Sequence, residues 1–307
     1  MKKKLTAAAV GTAFVGLCFS TGAAMEAARA ALRLCAGTIL PSLFPFFVLS
    51  ILLGRLGVPR ALGRRLGGAA KLFGVSGAGM TALPVGLLGG YPMGAACVAG
   101  LLGRGEIGRD EAERLLLFVN NSGPAFLIGA VGAGAFGSAR AGLLLYVSHA
   151  AAALLTGLLF RGRGGGPAAG EQSSGESFAA AFPAAVREAV GAVLTVCGFV
   201  VCFSVLLGLL DDWGLTALPV FQRPLPRALL CGFFEIGSAF GALRGLAPSP
   251  ASLAAAASIL GWGGLSVHCQ TAALFAEQEL SLRRHTLGRL CSALFSALIA
   301  GGLAALL

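Results

Sequence analysis

Apolar runs of about 18 residues or longer recur along the chain, each closed by a short charged stretch. Runs of that length cross a bilayer as helices. Residues 36–54, 115–135, 138–160, 184–210, 261–276 and 287–307 predict spans. Residues 72–102 and 226–260 are apolar but interrupted. The first holds Gly74, Gly77, Gly79, Pro84, Gly89, Gly90 and Pro92, and it predicts a hairpin that enters and leaves on one side. The N-terminal "MKKKLTAAAVGTAFVGLCFSTGAAM" resembles a signal peptide, with Lys2–Lys4 before an apolar core. With so many later spans, an uncleaved first helix over residues 1–29 is the expectation.

Composition sharpens this picture. Of 307 residues, 56% are hydrophobic and only 12% are charged, where a soluble domain carries roughly 25% charged residues. Mean hydropathy is +0.84. The net charge of +10 sits in loops such as Arg55, Arg60, Arg64, Arg65 and Lys71. That is the positive-inside pattern. No aromatic-interleaved basic patch accompanies it, so no nucleic-acid partner is expected. The fold class expected is all-α, a polytopic helical membrane protein whose partners are the lipid bilayer and a small-molecule substrate, with homo-oligomerisation left open.

The polar stretch "RGRGGGPAAGEQSSGES" is a linker. It divides the chain into a first repeat (30–160), a cytoplasmic linker (161–183) and a second repeat (184–307). "GTILPSLFPFFVLSILLG" aligns with "GAVLTVCGFVVCFSVLLG", Gly37 against Gly191 and Leu52-Leu53-Gly54 against Leu206-Leu207-Gly208. "GGYPMGA", "NNSGPAF" and "SHAAAALLTGLL" then fall opposite "FFEIGSA", "GWGGLSVHCQ" and "CSALFSALIAGG" in the same order. Placing the arginine-rich loops inside sets the halves in opposite orientation. The prediction is two inverted repeats, each with a re-entrant hairpin and a broken transmembrane helix, as in secondary transporters.

Irregular backbone at membrane depth is tolerated only inside protein or along a cavity. Paired breaks in matching places therefore point to a binding site. The candidate substrate-binding residues are Gly90, Tyr91, Asn120, Asn121, Ser122, Gly123, Ser238, Gly264, Ser266, His268 and Gln270. Asn120 and Asn121 bring donors and acceptors, and a half-helix starting after Pro124 turns free N–H groups toward an anion. The alternative for Asn and Ser is packing between helices. Tyr91 either stacks on a ring-shaped ligand or caps the hairpin for packing. Glu235, alone in "LLCGFFEIGSAFGAL", is an intramembrane carboxylate and by default functional. It is assigned to ion coupling with H+ or Na+, the alternative being an ion pair with Arg187 or Arg114. His268 is a site candidate beside a glycine break. His149, on an Ala-rich helix, is read as packing, and His285 as a solvated loop residue.

"GAGAFG" (132–137) matches GxGxxG but has no preceding strand and no acidic residue about 20 positions on. No Walker A, HExxH or GxSxG set is present, so no enzyme, catalytic residue, metal or cofactor beyond a coupling cation is expected. Eight scattered cysteines form no CxxC pair and read as small hydrophobes.

The blocks "GLLGGYPMGA", "NNSGPAFLIGAVGAGAFG", "FFEIGSAFGAL" and "GWGGLSVHCQ" resemble those of the sporulation integral membrane proteins of the YlbJ type, within the nucleoside recognition or gate domain proteins, which are similar to concentrative nucleoside transporters. The resemblance covers about residues 30–307 and carries the motifs onto Gly90–Gly94, Asn120–Pro124, Glu235–Ser238 and Gly263–Gln270. It implies inverted repeats with two re-entrant hairpins, and residence in the bacterial cytoplasmic membrane or the outer forespore membrane. It also implies translocation of dipicolinic acid into the developing forespore. Transport of a nucleoside or other small solute is the alternative, and a non-transporting structural or signalling role in the spore membrane is another.

Overall fold

The computed structural model describes residues 2–162, 175–278 and 280–306. Every regular element among them is helical, as the length of the apolar runs predicts. Four stretches are long and apolar enough to cross a membrane: Ala139–Leu159, Phe178–Asp212, Pro250–Leu274 and Arg283–Leu306. Two further pairs of helices reach that length only around sharp bends. The chain is a polytopic helical membrane protein.

The N-terminal stretch read as one helix is two, α1 (Lys2–Phe19) and α2 (Thr21–Leu34), turned by 100° at Ser20. Thr21 Oγ1 donates to the carbonyls of Leu17 and Cys18, and Trp213 Nε1 donates to Ser20 Oγ at 3.2 Å. These side-chain bonds hold the corner. The chain then runs from α2 through a π-helical turn (Cys35–Ile39) into α3 (Leu40–Arg55). Leu40 N–H bonds back to Cys35 O, one residue further than in an α-helix. Pro41 and Pro45 lack donors there, which favours a wider turn.

The basic stretch forms two short helices, α4 (Val58–Arg65) and α5 (Gly67–Phe73), followed by one turn, α6 (Gly77–Met80). The first hairpin is tighter than residues 72–102. It comprises α7 (Ala82–Gly89) and α8 (Met93–Gly103), packed together around a tip at residues 90–92. A short charged helix, α9 (Arg109–Leu115), follows. Its buried Glu111 accepts from Ser76 N–H at 2.6 Å and so fixes the approach to the hairpin. The chain is then non-helical over 120–123 and resumes as a π-helix (Ala125–Ala135), before α10 (Ala139–Leu159).

Most of the linker lies outside the described residues. Glu176 pairs with Arg55 at 2.7 Å, and α11 (Phe178–Asp212) begins there, earlier than residue 184. Its 35 residues reach about 52 Å, beyond a hydrocarbon core of about 30 Å. It carries Arg187 and Glu188 in its first turns, and Glu188 also pairs with Arg55.

The stretch 226–260, expected as one hairpin, is a hairpin plus a separate helix. α12 (Pro224–Phe234) and α13 (Ile236–Leu243) form the hairpin, with Glu235 at its tip. α14 (Pro250–Trp262) starts afresh at a Ser249–Ser252 capping box with Pro250 in its first turn. It continues past Gly263 as α15 (Gly264–Leu274), and α16 (Arg283–Leu306) closes the described chain. A hairpin followed by a broken segment and a long helix is seen at α7–α8, 120–123 and α10, and at α12–α13, Gly263 and α16. One core lies among α5 to α9, a second among the π-helix, α10, α12 to α14 and α16, and a third between α2, α3 and α11. Leu194, Leu294 and Leu298 are exposed on α11 and α16. They suit hydrocarbon rather than water.

Candidate functional site

Each hairpin tip meets a helix break at backbone distance. Gly90 has φ +84° and ψ −177°, a region open essentially to glycine alone. A Cβ there would lie 3.0 Å from Gly123 N, and one on Gly123 would lie 3.1 Å from Gly90 N. No larger side chain fits between these two backbones. In the second half Gly263 (φ +82°) and Gly264 (φ +76°) break the helix. A Cβ on Gly264 would lie 3.0 Å from Phe234 O, just before the second tip.

Both tips and both breaks border one cavity of about 100 Å³. Its wall is mostly apolar, from Leu34, Ile39, Leu43 and Phe46 on one side and Val196 and Val200 on another. Polar groups come from the four broken segments, Gly90 and Tyr91, Ser122 and Gly123, Glu235 and Gly237, Ser266 and Gln270, and from Thr38 on the π-helical turn. Of the expected site residues, Gly90, Tyr91, Ser122, Gly123, Glu235, Ser266 and Gln270 are therefore brought together.

The others sit one layer back. Asn120 is fully buried, and its Nδ2 donates to Thr271 Oγ1 at 3.0 Å and lies 3.4 Å from His285 Nε2. Asn121 Nδ2 donates to Phe118 O at 2.8 Å. Neither side chain lines the cavity, and both Oδ1 atoms are buried without a partner. Ser238 acts through its backbone, donating N–H to Glu235. Gly264 provides the close approach to Phe234. His268 packs on Trp262, with ring centres 4.2 Å apart, and on His285 at 4.9 Å.

Glu235 is buried, and both its oxygens are used. Oε1 accepts from Gly237 N–H at 2.8 Å and Oε2 from Ser238 N–H at 2.6 Å. The carboxylate caps the first turn of α13, where the helix dipole favours a negative charge. It makes no ion pair with Arg114 or Arg187; Arg114 pairs with Asp110.

Two histidines differ from their sequence reading. His285 is not in a solvated loop: it is fully buried in α16. His149 does more than pack, because its Nε2 accepts from Ser122 N–H at 3.0 Å and so ties α10 to the first break. The sequence reading missed Arg289. It is fully buried, and its Nη1 donates to the Tyr91 hydroxyl at 2.8 Å. That hydroxyl donates in turn to Leu260 O at 2.7 Å. Tyr91 thus offers the cavity its ring, with the hydroxyl already engaged. The signal was there: His285, Arg289, Ser292 and Ser296 recur at helical spacing on one face of an apolar helix, and all four are buried.

All eight cysteines are free thiols. Among the described residues no group of three or more His, Cys, Asp or Glu side chains gathers to hold a metal.

No family model matches the chain, and no solved structure matches it. A curated protein does: the sporulation integral membrane protein YlbJ of Bacillus subtilis (strain 168), 33% identical over 313 residues, covering 90% of this chain and 76% of the relative. Coverage of that extent takes in both hairpins and both breaks. The chain belongs to the family of YlbJ-type sporulation integral membrane proteins.

Proposed function

We propose that this protein is a secondary transporter for a small anionic, aromatic metabolite, and that its two halves are inverted repeats spanning residues 30–160 and 184–307. The observation that carries this reading is the convergence of two hairpin tips and two helix breaks, from distant parts of the chain, on one cavity. Broken helices meeting at mid-membrane are how secondary transporters build a substrate site. The apolar wall suits a flat ring, and the backbone and side-chain groups of the tips and breaks suit its polar edge. Membership among sporulation proteins favours dipicolinic acid as the solute. It also favours the outer forespore membrane, within the bacterial cytoplasmic membrane system, as the location.

Glu235 is assigned to coupling, with H+ or Na+ as the ion. Protonation would turn an acceptor-only carboxylate into a partial donor and weaken its hold on Gly237 and Ser238. The hairpin tip would then be free to move.

The test is uptake of labelled dipicolinate into proteoliposomes holding the purified protein, beside Glu235→Gln and Gln270→Ala variants. Uptake lost in both variants supports the site and the substrate together. Absence of uptake by correctly oriented, folded protein rejects dipicolinate. Nucleosides are then the next solute to measure, and a non-transporting role in the spore membrane stands if they fail too.

A further inference from the structure

The cavity wall hides an uncompensated charge. Arg289 sits six residues into α16 and is fully buried. Nη1 donates to the Tyr91 hydroxyl, Nη2 donates to Ser292 Oγ at 3.1 Å, and Nε has no partner. The guanidinium carbon lies 5.8 Å from the centre of the Tyr91 ring. The titratable groups that face it are Tyr91, His149, His268 and His285. None of these is a carboxylate, and among the described residues Arg289 has no acidic partner. Buried histidine and asparagine atoms around it are also unsatisfied, including His285 Nδ1, His149 Nδ1 and Asn120 Oδ1. An arginine cannot escape burial by losing its proton, so a buried, unpaired guanidinium is a standing cost that an incoming anion would relieve.

We propose that Arg289 is the counter-ion for a carboxylate of the transported solute, and that Tyr91 is the movable partition between them. The inference rests on the transporter reading. Tyr91 lines the cavity with its ring and holds Arg289 with its hydroxyl. The charge is therefore one hydrogen bond away from the substrate space. A carboxylate arriving at the first hairpin tip can take the place of the phenol on Nη1 and engage the Nη1–Nη2 edge with both oxygens. The planar guanidinium fork matches a carboxylate in this way, where an ammonium would act only as a point charge. At the second tip Glu235 presents a negative charge to the same cavity. An anionic group is repelled there and drawn to the Tyr91 side, which orients the solute. Charge selection then belongs to Arg289, and ring selection to the apolar wall.

The experiment compares pyridine-2,6-dicarboxylate with pyridine-2,6-dicarboxamide, which has nearly the same shape and no charge. Binding is read from ligand-dependent thermal unfolding of the purified full chain. The variants are Arg289→Gln, Arg289→Lys and Tyr91→Phe. The wild type is expected to prefer the diacid by at least about 10-fold, the scale of one charge-assisted bond. Arg289→Gln should erase that preference, and Arg289→Lys should keep it at lower affinity. Tyr91→Phe, which frees the guanidinium and also removes the hydroxyl's bond to Leu260 O, should tighten the diacid. A wild type that does not discriminate diacid from diamide overturns the inference, as does Arg289→Gln binding the diacid like wild type. Should Arg289→Gln fail to fold, diacid affinity unchanged in both other variants overturns it. Uptake separates the two readings. Arg289-dependent binding without uptake keeps Arg289 as the counter-ion of a bound carboxylate and removes transport. Equal uptake by wild type and Arg289→Gln keeps transport and removes the inference.

Discussion

Gly94 and Gly103 lie on the same helix of the first hairpin and should respond oppositely to one added methyl group. A Cβ on Gly94 would overlap the carbonyl oxygen of Val119 and stand 3.2 Å from Asn120 Cα. Both contacts are backbone, so no side chain can rotate away. The helix must move off the broken segment just where residues 120–123 leave helical geometry. A Cβ on Gly103 meets nothing within 4 Å. Forcing one methyl into a packed interior costs about 1–3 kcal/mol, and the rigid partner puts Gly94→Ala at the upper end. Gly103→Ala should be neutral or stabilising by up to about 1 kcal/mol through helix propensity. For a domain of 150–250 residues about 2–4 °C of Tm is lost per kcal/mol, so Gly94→Ala should melt roughly 4–12 °C below wild type by the same scaling. The assay is thermal unfolding of purified protein followed by the fluorescence of Trp213 and Trp262. A Gly94→Ala protein that melts with the wild type, or above Gly103→Ala, would refute the backbone contact between hairpin and break.

Glu235→Gln leaves one of the two N–H groups at the start of α13 facing an amide NH2 and should lower stability by about 1–3 kcal/mol; chemical or thermal melts of the variant check this. Gly263→Ala places a Cβ at φ +82° beside the Tyr91 ring and should cost about 1–2 kcal/mol, with a melting temperature at or above wild type counting against it. His149→Ala strips the acceptor from the buried Ser122 N–H and should cost about 1–3 kcal/mol, whereas Ala at the exposed Arg140 should change the melt by less than about 0.5 kcal/mol. For the inverted arrangement, cysteines placed singly in 55–71 and in 161–183 should both label only from the cytoplasmic side; opposite accessibility rejects it.

The hairpin tips were legible because their residues have few other uses in a membrane. Gly-Gly-Tyr-Pro and the solitary Glu235 stand out from the apolar runs around them, and both sit where a span would otherwise be continuous. Boundaries were harder. The run 226–260 is interrupted at both Glu235 and 244–250, and only the second interruption ends the hairpin and starts α14. The deciding signal was local, a Ser249–Ser252 capping box with Pro250, which a search for apolar length passes over. The corner at Ser20 had no proline to mark it, and its side-chain bond to Trp213 comes from 193 residues away. Such a contact has no trace in the sequence around it. Asn120 and Asn121 were visible as polar residues at membrane depth, but which way they face depends on Thr271 and Phe118, again long-range for one of the two.

Arg289 shows how a correct rule can conceal a residue. The positive-inside rule assigns Arg283 and Arg284 to a cytoplasmic end, and Arg289 follows too closely to look different. Only its helical phase separates it. Arg283 and Arg284 lie at the start of α16, with Arg284 paired to Asp110 at 2.6 Å. Arg289 shares a face with His285, Ser292 and Ser296, and that face turns inward. A helix in lipid gains nothing from such a stripe unless protein covers it. Here α10 and α14 pack on α16, with Thr156 of α10 3.4 Å from Ser292. The polar stripe and the broken segments therefore answer the same constraint from two sides. Polar side chains and unpaired backbone are kept out of hydrocarbon by being gathered in one interior. The cavity lies where the backbone breaks leave room, and the arginine lies where the side chains close it.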